Sequence, residues 1–237
     1  MRLDPDKPVL ALIALLALAI GVRTWLHDHP QHNPWAPLSL SDPVGWATHA
    51  KVRKAARDPA QCRDVLRRGG IAFTVLPPTG AAQCRRDDRQ TWDGPLLAPA
   101  RAEATCGVDL GLALWLRHSV EPMAQAILHS RVVRIEHFGT ASCRRIYGSE
   151  TGSWSEHATG NAIDVAGFVL ADGRRISVRR DWTAGGDTAA FLHAVRDGAC
   201  QWFGTTLSPD YNAAHADHLH LDQASRGLAG GFGGVCR

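Results

Sequence analysis

Histidines and carboxylates concentrate in two short segments of the sequence, SEHATGNAID at residues 155–164 and HADHLHLD at residues 215–222. In the second segment, His218 and His220 are two residues apart in an apolar, strand-like run, so both side chains should point to one face of the strand. In the first segment, Asp164 lies among apolar residues, and a carboxylate in such surroundings needs a partner. These residue types and spacings indicate a site for a divalent cation.

A histidine in the preceding loop, His157, completes a candidate set of metal ligands with Asp164 and His220. One carboxylate and two imidazoles, with a fourth position open, form the ligand set of a catalytic zinc ion. Zinc lowers the pKa of a bound water to about 7, so the chemistry implied is hydrolysis. Each segment alone is ambiguous, because alternating histidines often pack on half-buried strands and Asp164 could instead pair with Arg174 or Arg175.

Together, the two segments resemble the S-x-H-x-x-G-x-A-x-D and D-H-x-H motifs of the zinc peptidases that cut bacterial cell-wall peptides. That superfamily (LAS) joins D-Ala-D-Ala carboxypeptidases, murein endopeptidases, lysostaphin-like enzymes and the hedgehog signalling domain. More closely, residues 62–237, about three quarters of the chain, are similar to the extensin-like C-terminal domain family. The closer resemblance rests on IEHFGTASCR at 135–144, SEHATGNAIDVAGF at 155–168, DGAC at 197–200 and HADHLHLD at 215–222.

The resemblance implies a Zn2+ ion held by His157, Asp164 and His220. Ser155 and Gly160, which flank the first ligand in the motif, would shape the loop that carries it.

The resemblance also assigns catalytic roles next to the metal. In the murein peptidases the other histidine of H-x-H lies near the metal-bound water, so His218 would act as general base or hydrogen-bond the tetrahedral intermediate. Asp217 or His215 would fix its tautomer, with a plain surface position as the alternative for His215. Arg144 matches an arginine that holds substrate or oxyanion charge in the carboxypeptidases, with Arg145 or an ordinary surface charge as alternatives. Several carboxypeptidases place a glutamate upstream of the last ligand, where this sequence has Asp217 and His218, so the proton transfers are less defined than the ligands.

The N-terminal region carries an apolar run at residues 9–22 that directs the chain to a membrane. The run is short for the roughly 20 residues of a helical span, but Trp25 and Leu26 extend it if Arg23 reaches the interface. We therefore predict a transmembrane signal anchor over residues 1–26, with a cleaved signal peptide as the alternative.

The remainder of the chain divides into a spacer and one domain. Residues 27–44 contain four prolines and no periodic apolar pattern, so we expect an extended linker. His27, His29 and His32 lie in this linker, where solvation is a simpler explanation than metal binding. The extensin-like domain is expected over residues 45–237.

Six dispersed cysteines and no C-x-x-C pair favour disulfide bonds, which form in an oxidising compartment. A bridge between Cys143 and Cys200 would lie near the predicted site, but six cysteines allow 15 pairings and the choice stays open. The predicted location is the bacterial inner membrane, single-pass, with the domain in the periplasm. Release into the periplasm after signal cleavage is the alternative.

Apolar periodicity predicts a mixed α+β domain with a central antiparallel sheet and flanking helices, as the LAS resemblance also implies. Helices are expected over 46–68, 108–128 with a kink or new start at Pro122, and 187–203 with Asp187 as cap. Strands are expected over 71–76, 96–106, 132–138, 161–170 paired in a hairpin with 175–178, and 218–222, and residues 79–95 should form a loop.

The leading hypothesis is a membrane-tethered zinc hydrolase that cleaves a peptide bond in the stem peptides or crosslinks of peptidoglycan. A noncatalytic, zinc-containing module that binds the cell wall is the alternative, and a zinc-stabilised structural domain is a third. The net charge of +3 is spread along the chain and forms no concentrated basic face, so nucleic acid is not an expected partner.

Overall fold

The computed structural model describes residues 6–225 and 235–237, so residues 1–5 of the predicted anchor and 226–234 of the predicted domain lie outside the described residues. The helices are α1 (Asp6–Asp28), α2 (Thr48–Ala56), α3 (Pro59–Arg68), α4 (Cys106–Trp115), α5 (Glu121–Met123), α6 (Val178–Asp181) and α7 (Gly186–Ala199). The strands are β1 (Phe73–Val75), β2 (Gln90–Trp92), β3 (Leu97–Ala98), β4 (Glu103–Ala104), β5 (Val132–His137), β6 (Ala162–Leu170), β7 (Arg175–Ser177), β8 (Thr205–Leu207), β9 (Leu219–Asp222) and β10 (Val235–Cys236).

The main sheet has seven strands in the order β10-β8-β9-β6-β5-β3, with β7 pairing on β6. The predicted hairpin of β6 and β7 is confirmed. The sheet is antiparallel around β6, but β3 runs parallel to β5 and β10 runs parallel to β8. The mixed α+β class is confirmed; the centre of the sheet is antiparallel as expected, and the two edge strands add parallel pairs. A second sheet, of three strands, has the order β1-β2-β4.

A bulge in β6 keeps the apolar side chains before and after it on the core face of the sheet. Residues Glu136 and His137 of β5 pair with Gly167 and Val165, so β6 has one extra residue at this point. Before the bulge, Val165 is buried and Asp164 faces the other way; after it, Phe168 turns to the core. A Cβ on Gly167 would lie 2.4 Å from the carbonyl oxygen of Ile176, so only glycine fits here.

Helices cover one face of the main sheet. The segment from α4 to Leu128 is continuously helical, with wide turns at Leu116–Val120 and Ala124–Leu128 on either side of α5. Pro122, which lacks an N–H, lies between these wide turns, as expected for a helix that accommodates a proline. Trp115 packs against Phe168 of β6 with 5.8 Å between the ring centroids, and this contact joins the helical layer to the sheet.

Several element boundaries differ from the predictions because short polar features override the apolar pattern. The helix expected over 46–68 is two helices, since Asp58 caps α3 by accepting from the N–H groups of Ala60 and Gln61 before Pro59. Gly185, not Asp187, occupies the cap position of α7. The loop expected over 79–95 contains β2, and the expected arm 96–106 is split between two sheets as β3 and β4. Strands β8 and β10 have no counterpart among the predictions.

Three disulfides staple the domain, joining Cys62 to Cys106, Cys84 to Cys143, and Cys200 to Cys236. The considered bridge between Cys143 and Cys200 is therefore wrong. No described cysteine is free, as the even number of dispersed cysteines predicted.

The segment expected to be an extended linker is in part packed on the domain. Leu38 and Leu40 are each only 5% exposed and belong to the hydrophobic core. Further upstream, Lys51 Nζ donates to the carbonyl oxygen of Pro30 at 2.7 Å. Residues 30–40 therefore follow the domain surface rather than hanging free from it.

A buried carboxyl group, Asp109 of α4, should make stability depend on pH. Its Oδ2 accepts from Gln90 Nε2 at 2.7 Å while Oδ1 has no partner, and burial raises its pKa to about 7. Because the folded-state pKa lies above the ordinary pKa of an aspartate, the fold favours the neutral acid. The stability that this group contributes near pH 4 is therefore lost as the pH rises through 7. Asp109→Asn should therefore be more stable than the wild type at pH 8, by on the order of 2 kcal/mol, with little difference at pH 4.

Urea unfolding of the wild type and the variant at pH 4, 6 and 8 checks this expectation. The matched control is Asp87→Asn, which removes an exposed carboxylate and should leave the pH profile unchanged. The prediction would be contradicted if the free energies of unfolding of the wild type and of Asp109→Asn changed with pH in parallel.

Candidate metal centre

The loop that carries His157 is built around a glycine turn. Ser155 Oγ accepts from the His157 N–H at 3.3 Å and begins the short helix Glu156–Thr159. Gly160 ends that helix with φ of +73°, in the left-handed region that favours glycine. A Cβ at Gly160 would also lie 3.2 Å from the carbonyl oxygen of Glu103. The turn therefore sends the chain from His157 directly into β6.

Strand pairing places the other two predicted ligands. Asp164 of β6 is directly opposite His220 of β9 in the antiparallel register. On β9, Leu219 and Leu221 are fully buried in the core, so alternation turns His220 to the other face. The two side chains therefore meet on the face of the sheet where His157 also lies.

The three predicted ligand atoms converge on one point. Asp164 Oδ1 lies 3.1 Å from His157 Nε2 and 2.9 Å from His220 Nδ1, and the two nitrogens are 3.2 Å apart. Ligand atoms at 2.0–2.1 Å from a tetrahedral zinc ion are separated by about 3.3 Å, which is close to this spacing. Among the residues that the structure describes, this is the one group of three such side chains able to hold a metal ion.

The alternative partners considered for Asp164 are engaged elsewhere. Arg174 binds the carboxylate of Asp172 at 2.8 Å, and Arg175 binds that of Glu136 at 2.6 Å. Asp164 is therefore satisfied by histidines and by no arginine of the described chain.

Both ligand histidines are oriented through their outer nitrogens. His157 Nδ1 lies 3.1 Å from the carbonyl oxygen of Thr140, a pure acceptor, so Nδ1 carries a proton, and Nε2, which faces Asp164, is the nitrogen that would coordinate a metal ion. His220 Nε2 lies 3.0 Å from Asp222 Oδ2, which similarly leaves Nδ1 for coordination. A carboxylate or carbonyl behind each ligand histidine is the usual arrangement of a metal site.

Asp222 is the member of this constellation that the sequence reasoning missed. It is 1% exposed, and its Oδ1 also accepts from the Ala224 N–H at 2.9 Å. The signal was present, because His218, His220 and Asp222 alternate along one strand and must share a face.

His218 lies beside the ligands rather than among them. Its Nε2 is 3.5 Å from Asp164 Oδ1, and its Nδ1 is 2.9 Å from Asp217 Oδ1. Of the two residues considered for fixing its tautomer, Asp217 makes the contact. His215 is 8% exposed and bonds Asn212 Oδ1 at 2.7 Å, so its considered surface position is wrong.

The model of one known family matches most of the chain. The model for the C-terminus of extensin-like proteins matches residues 60–237. The chain belongs to the extensin-like C-terminal domain family. No curated protein and no solved structure matches it. The matched range contains all six predicted site residues and all three disulfides, while α1 and α2 precede it.

Charges in the extensin-like domain are arranged to favour a cation at the ligand cluster. Burial raises the pKa of Asp164, but hydrogen bonds from His157 and His220 outweigh it and hold that pKa well below its usual range. For His220, burial lowers the pKa, but the bonds to Asp164 and Asp222 outweigh it and raise the pKa to about 9. Burial lowers the pKa of His215 to about 4, which keeps this neighbouring ring neutral at pH 7. The cluster thus centres on an ionised carboxylate that gathers positive charge.

The three predicted metal ligands lie at the floor of an open cleft with a volume of about 770 Å³. Arg144 is exposed on its wall, next to Cys143 of the Cys84–Cys143 disulfide. Arg145, the alternative, is held by its own loop, because it stacks over the Trp154 ring at 4.6 Å and donates to the carbonyl oxygen of Gly152. The arginine that faces the cleft is therefore Arg144.

Aromatic side chains form the rest of the cleft wall in the extensin-like domain. Tyr147, Trp154 and Tyr211 line it, and Asn212 Nδ2 donates to Tyr147 Oη at 2.9 Å across two loops. Tyr147 and Tyr211 did not figure among the predicted site residues, since nothing in the sequence relates these two loops. Such a wall provides flat apolar surfaces with polar edges for a bound chain.

Removing the carboxylate behind His220 should weaken metal binding without removing a ligand. We expect Asp222→Ala to lower zinc affinity about 10- to 100-fold, because His220 loses its orientation and its basicity. Asp222→Asn, which keeps an acceptor oxygen and the packing, should show a smaller loss. Competition with a chromophoric chelator measures both, and Asp217→Asn is the matched control because Asp217 contacts His218 and no ligand. Equal affinities in Asp222→Ala and the wild type would contradict the positioning role.

Proposed function

We propose that this protein is a membrane-tethered, zinc-dependent hydrolase that cleaves a peptide bond in the stem peptides or crosslinks of peptidoglycan. The observation that carries the proposal is the convergence of His157, Asp164 and His220 at the floor of an open cleft, with His218 beside them. The likeness of both motifs to those of the LAS peptidases supports the substrate class and a LAS-type fold.

The donor set suits zinc better than a harder cation. Two imidazole nitrogens and one carboxylate oxygen form a three-ligand set with room for a fourth group, whereas Ca²⁺ and Mg²⁺ prefer oxygen ligands alone. The spacing of 2.9–3.2 Å between the ligand atoms fits tetrahedral coordination. When bound, zinc would lower the pKa of a coordinated water and polarise a carbonyl group, which is the chemistry of hydrolysis.

The side chains around the ligands have the types that peptide hydrolysis needs. His218, held by Asp217, presents Nε2 toward the ligand cluster and is placed to accept or return a proton. Arg144 on the wall offers a positive charge to a substrate carboxylate or to developing oxyanion charge. Trp154 and Tyr147 offer flat surfaces along which an extended peptide or a sugar can lie.

The N-terminal helix supports a tethered location. Among the described residues, α1 alone is long and apolar enough to cross a membrane, a property that signal sequences share. Its last turn is bonded to the chain that follows, since Asn33 Nδ2 donates to Leu26 O and the His29 N–H donates to Trp25 O. We propose that α1 is retained as the anchor. Three disulfides fit a domain in the periplasm.

Digestion of purified peptidoglycan sacculi tests the proposal. The full chain in detergent, loaded with one equivalent of zinc, should release shortened or uncrosslinked stem peptides that are separable by chromatography and mass spectrometry. Chelation should stop the reaction and added zinc should restore it. Unaltered peptides with zinc, manganese, cobalt or nickel would overturn the hydrolase. If sacculi still captured the zinc-loaded chain in that case, the noncatalytic wall-binding module would replace it.

A further inference from the structure

Three tryptophans are exposed where α1 meets the domain. Trp25 in the last turn of α1 is 45% exposed, Trp46 just before α2 is 72% exposed, and Trp35 between them is 83% exposed. By contrast, Trp92, Trp115, Trp182 and Trp202 are at most 7% exposed. Large indole rings in water are unfavourable, so their grouping at one place indicates an environment other than water.

A stack of rings joins the end of α1 to the domain. The His32 ring lies 5.3 Å from Trp25 and 5.8 Å from Trp46, between the two indoles. His32 Nδ1 also accepts a hydrogen bond from the backbone N–H of Trp46 at 3.4 Å. Trp46 is thus one intervening ring away from the last turn of α1.

Backbone contacts make this junction close and specific. The Ala47 N–H donates to the carbonyl oxygen of Gln31 at 3.3 Å. A Cβ on Gly45 would lie 2.5 Å from that same oxygen, so the two segments approach at a distance that only glycine permits. Asn33 ties Trp35 to the end of α1, because its Nδ2 donates to Leu26 O and its Oδ1 accepts the backbone N–H of Trp35 at 3.0 Å. Burial of Leu38 and Leu40 in the core fixes the chain after Trp35. The positions of Trp35 and Trp46 relative to α1 are therefore set by the fold.

The anchor determines the level at which these rings lie. The apolar run of α1 begins at Val9 and ends at Trp25 and Leu26, and His27 and Asp28 follow it. The end of the apolar run marks the boundary between hydrocarbon and headgroups, where tryptophan is enriched in membrane proteins. Trp25 belongs at this boundary, and the stack through His32 carries Trp46 to the same zone.

We propose that Trp35 and Trp46 lie in the headgroup region of the phospholipid bilayer that α1 crosses, so that the domain docks on the membrane surface. The inference rests on the anchoring role of α1 in the proposed function and not on hydrolysis. In this arrangement the domain has a fixed orientation on the membrane instead of hanging from a flexible tether. The cleft can then reach only material beside the membrane.

Quenching of tryptophan emission in vesicles tests the docking. The full chain is reconstituted in phosphatidylethanolamine and phosphatidylglycerol vesicles that contain lipid brominated near the top of its acyl chains. The double variant Trp35→Phe/Trp46→Phe should lose about two thirds of the lipid-quenched emission, since two of the three indoles at the interface are removed. Trp154→Phe, which removes an indole that lines the cleft, is the matched control and should leave the lipid-quenched emission unchanged.

The outcomes separate docking from anchoring. Carbonate extraction first establishes that the chain is retained in the vesicles; release of the chain would overturn the anchor and the docking with it. Retention, with Trp35 and Trp46 quenched by aqueous acrylamide and not by lipid, would overturn docking alone. Loss of acrylamide quenching together with a dimer in crosslinking would assign the tryptophans to a second copy of the chain and also overturn docking. Sacculus digestion is read separately, so a failed hydrolase leaves this test intact.

Discussion

Replacing His220 by alanine should remove metal binding and hydrolysis together. His220 supplies one of three ligand atoms that lie within 3.2 Å of one another, and no other described side chain joins that group. A site reduced to Asp164 and His157 retains two ligands, so we expect zinc affinity to fall by at least about 100-fold. Loss of turnover in sacculus digestion should follow the loss of zinc.

The variant also removes one partner of the buried carboxylate of Asp222, so folding must be checked alongside affinity. Asp222 is 1% exposed and His220 Nε2 is 3.0 Å from it. His220→Gln serves as a second variant, because glutamine keeps hydrogen-bonding atoms and most of the side-chain volume of histidine. His49→Ala is the matched control, because His49 bonds Gln201 O and packs near Trp202, away from the ligands.

Two readouts decide the result. Elemental analysis should find about one zinc per chain in the wild type and in His49→Ala, and none in either His220 variant. Zinc should raise the melting temperature of the wild type and of His49→Ala but of neither His220 variant, because a ligand stabilises the state that binds it. One zinc per chain retained by a folded His220→Gln would show that the ion, if any, is held elsewhere.

Replacing His218 by alanine should abolish turnover while zinc stays bound. His218 contacts Asp217 and lies 3.5 Å from Asp164 Oδ1, but it is not one of the three converging atoms. A side chain that transfers a proton in the transition state contributes about 10²- to 10⁴-fold to the rate, so kcat should fall by that factor. Zinc content and melting temperature should match the wild type.

Asp217→Asn provides the graded comparison. It keeps a side-chain oxygen near His218 Nδ1 but removes the charge, so we expect a smaller loss of kcat than in His218→Ala. Digestion rates of sacculi, normalised to bound zinc, measure both variants. Unchanged digestion by His218→Ala would exclude the proton-transfer role. Unchanged wall binding with no digestion by any form would favour the noncatalytic module.

Alternation along strands made much of the site predictable from the sequence. His218 and His220 are two residues apart, so they could be assigned to one face of a strand, and Asp164 is a carboxylate in an apolar strand, so it could be expected to need a partner. His157 came from the motif and its glycine turn. The structure brings these residues together, whereas Arg144 is placed by a loop and a disulfide that no periodicity encodes.

The unpredicted parts depend on contacts between residues far apart in the chain. The strands β3, β4, β8 and β10 have two or three residues each, too few for a period to appear. Cysteine pairing follows from which loops meet in space, so Cys84 joins Cys143 although 59 residues separate them. Leu38 and Leu40 lie among prolines and serines that suggest a linker, and only the core they fill shows otherwise.

The pairing of β6 with β9 has a consequence for how the protein matures. Main-chain hydrogen bonds, not an ion, set Asp164 opposite His220, and a carbonyl and a carboxylate orient the two histidines. The pairing of these two strands therefore does not depend on the proposed zinc ion, which could be the last component to arrive. A chain exported before folding would oxidise its cysteines, fold and then draw zinc from the fluid around it. Under the proposed function, the fraction of active protein would follow the zinc supply outside the cytosol, and zinc scarcity would inactivate the protein without degrading it.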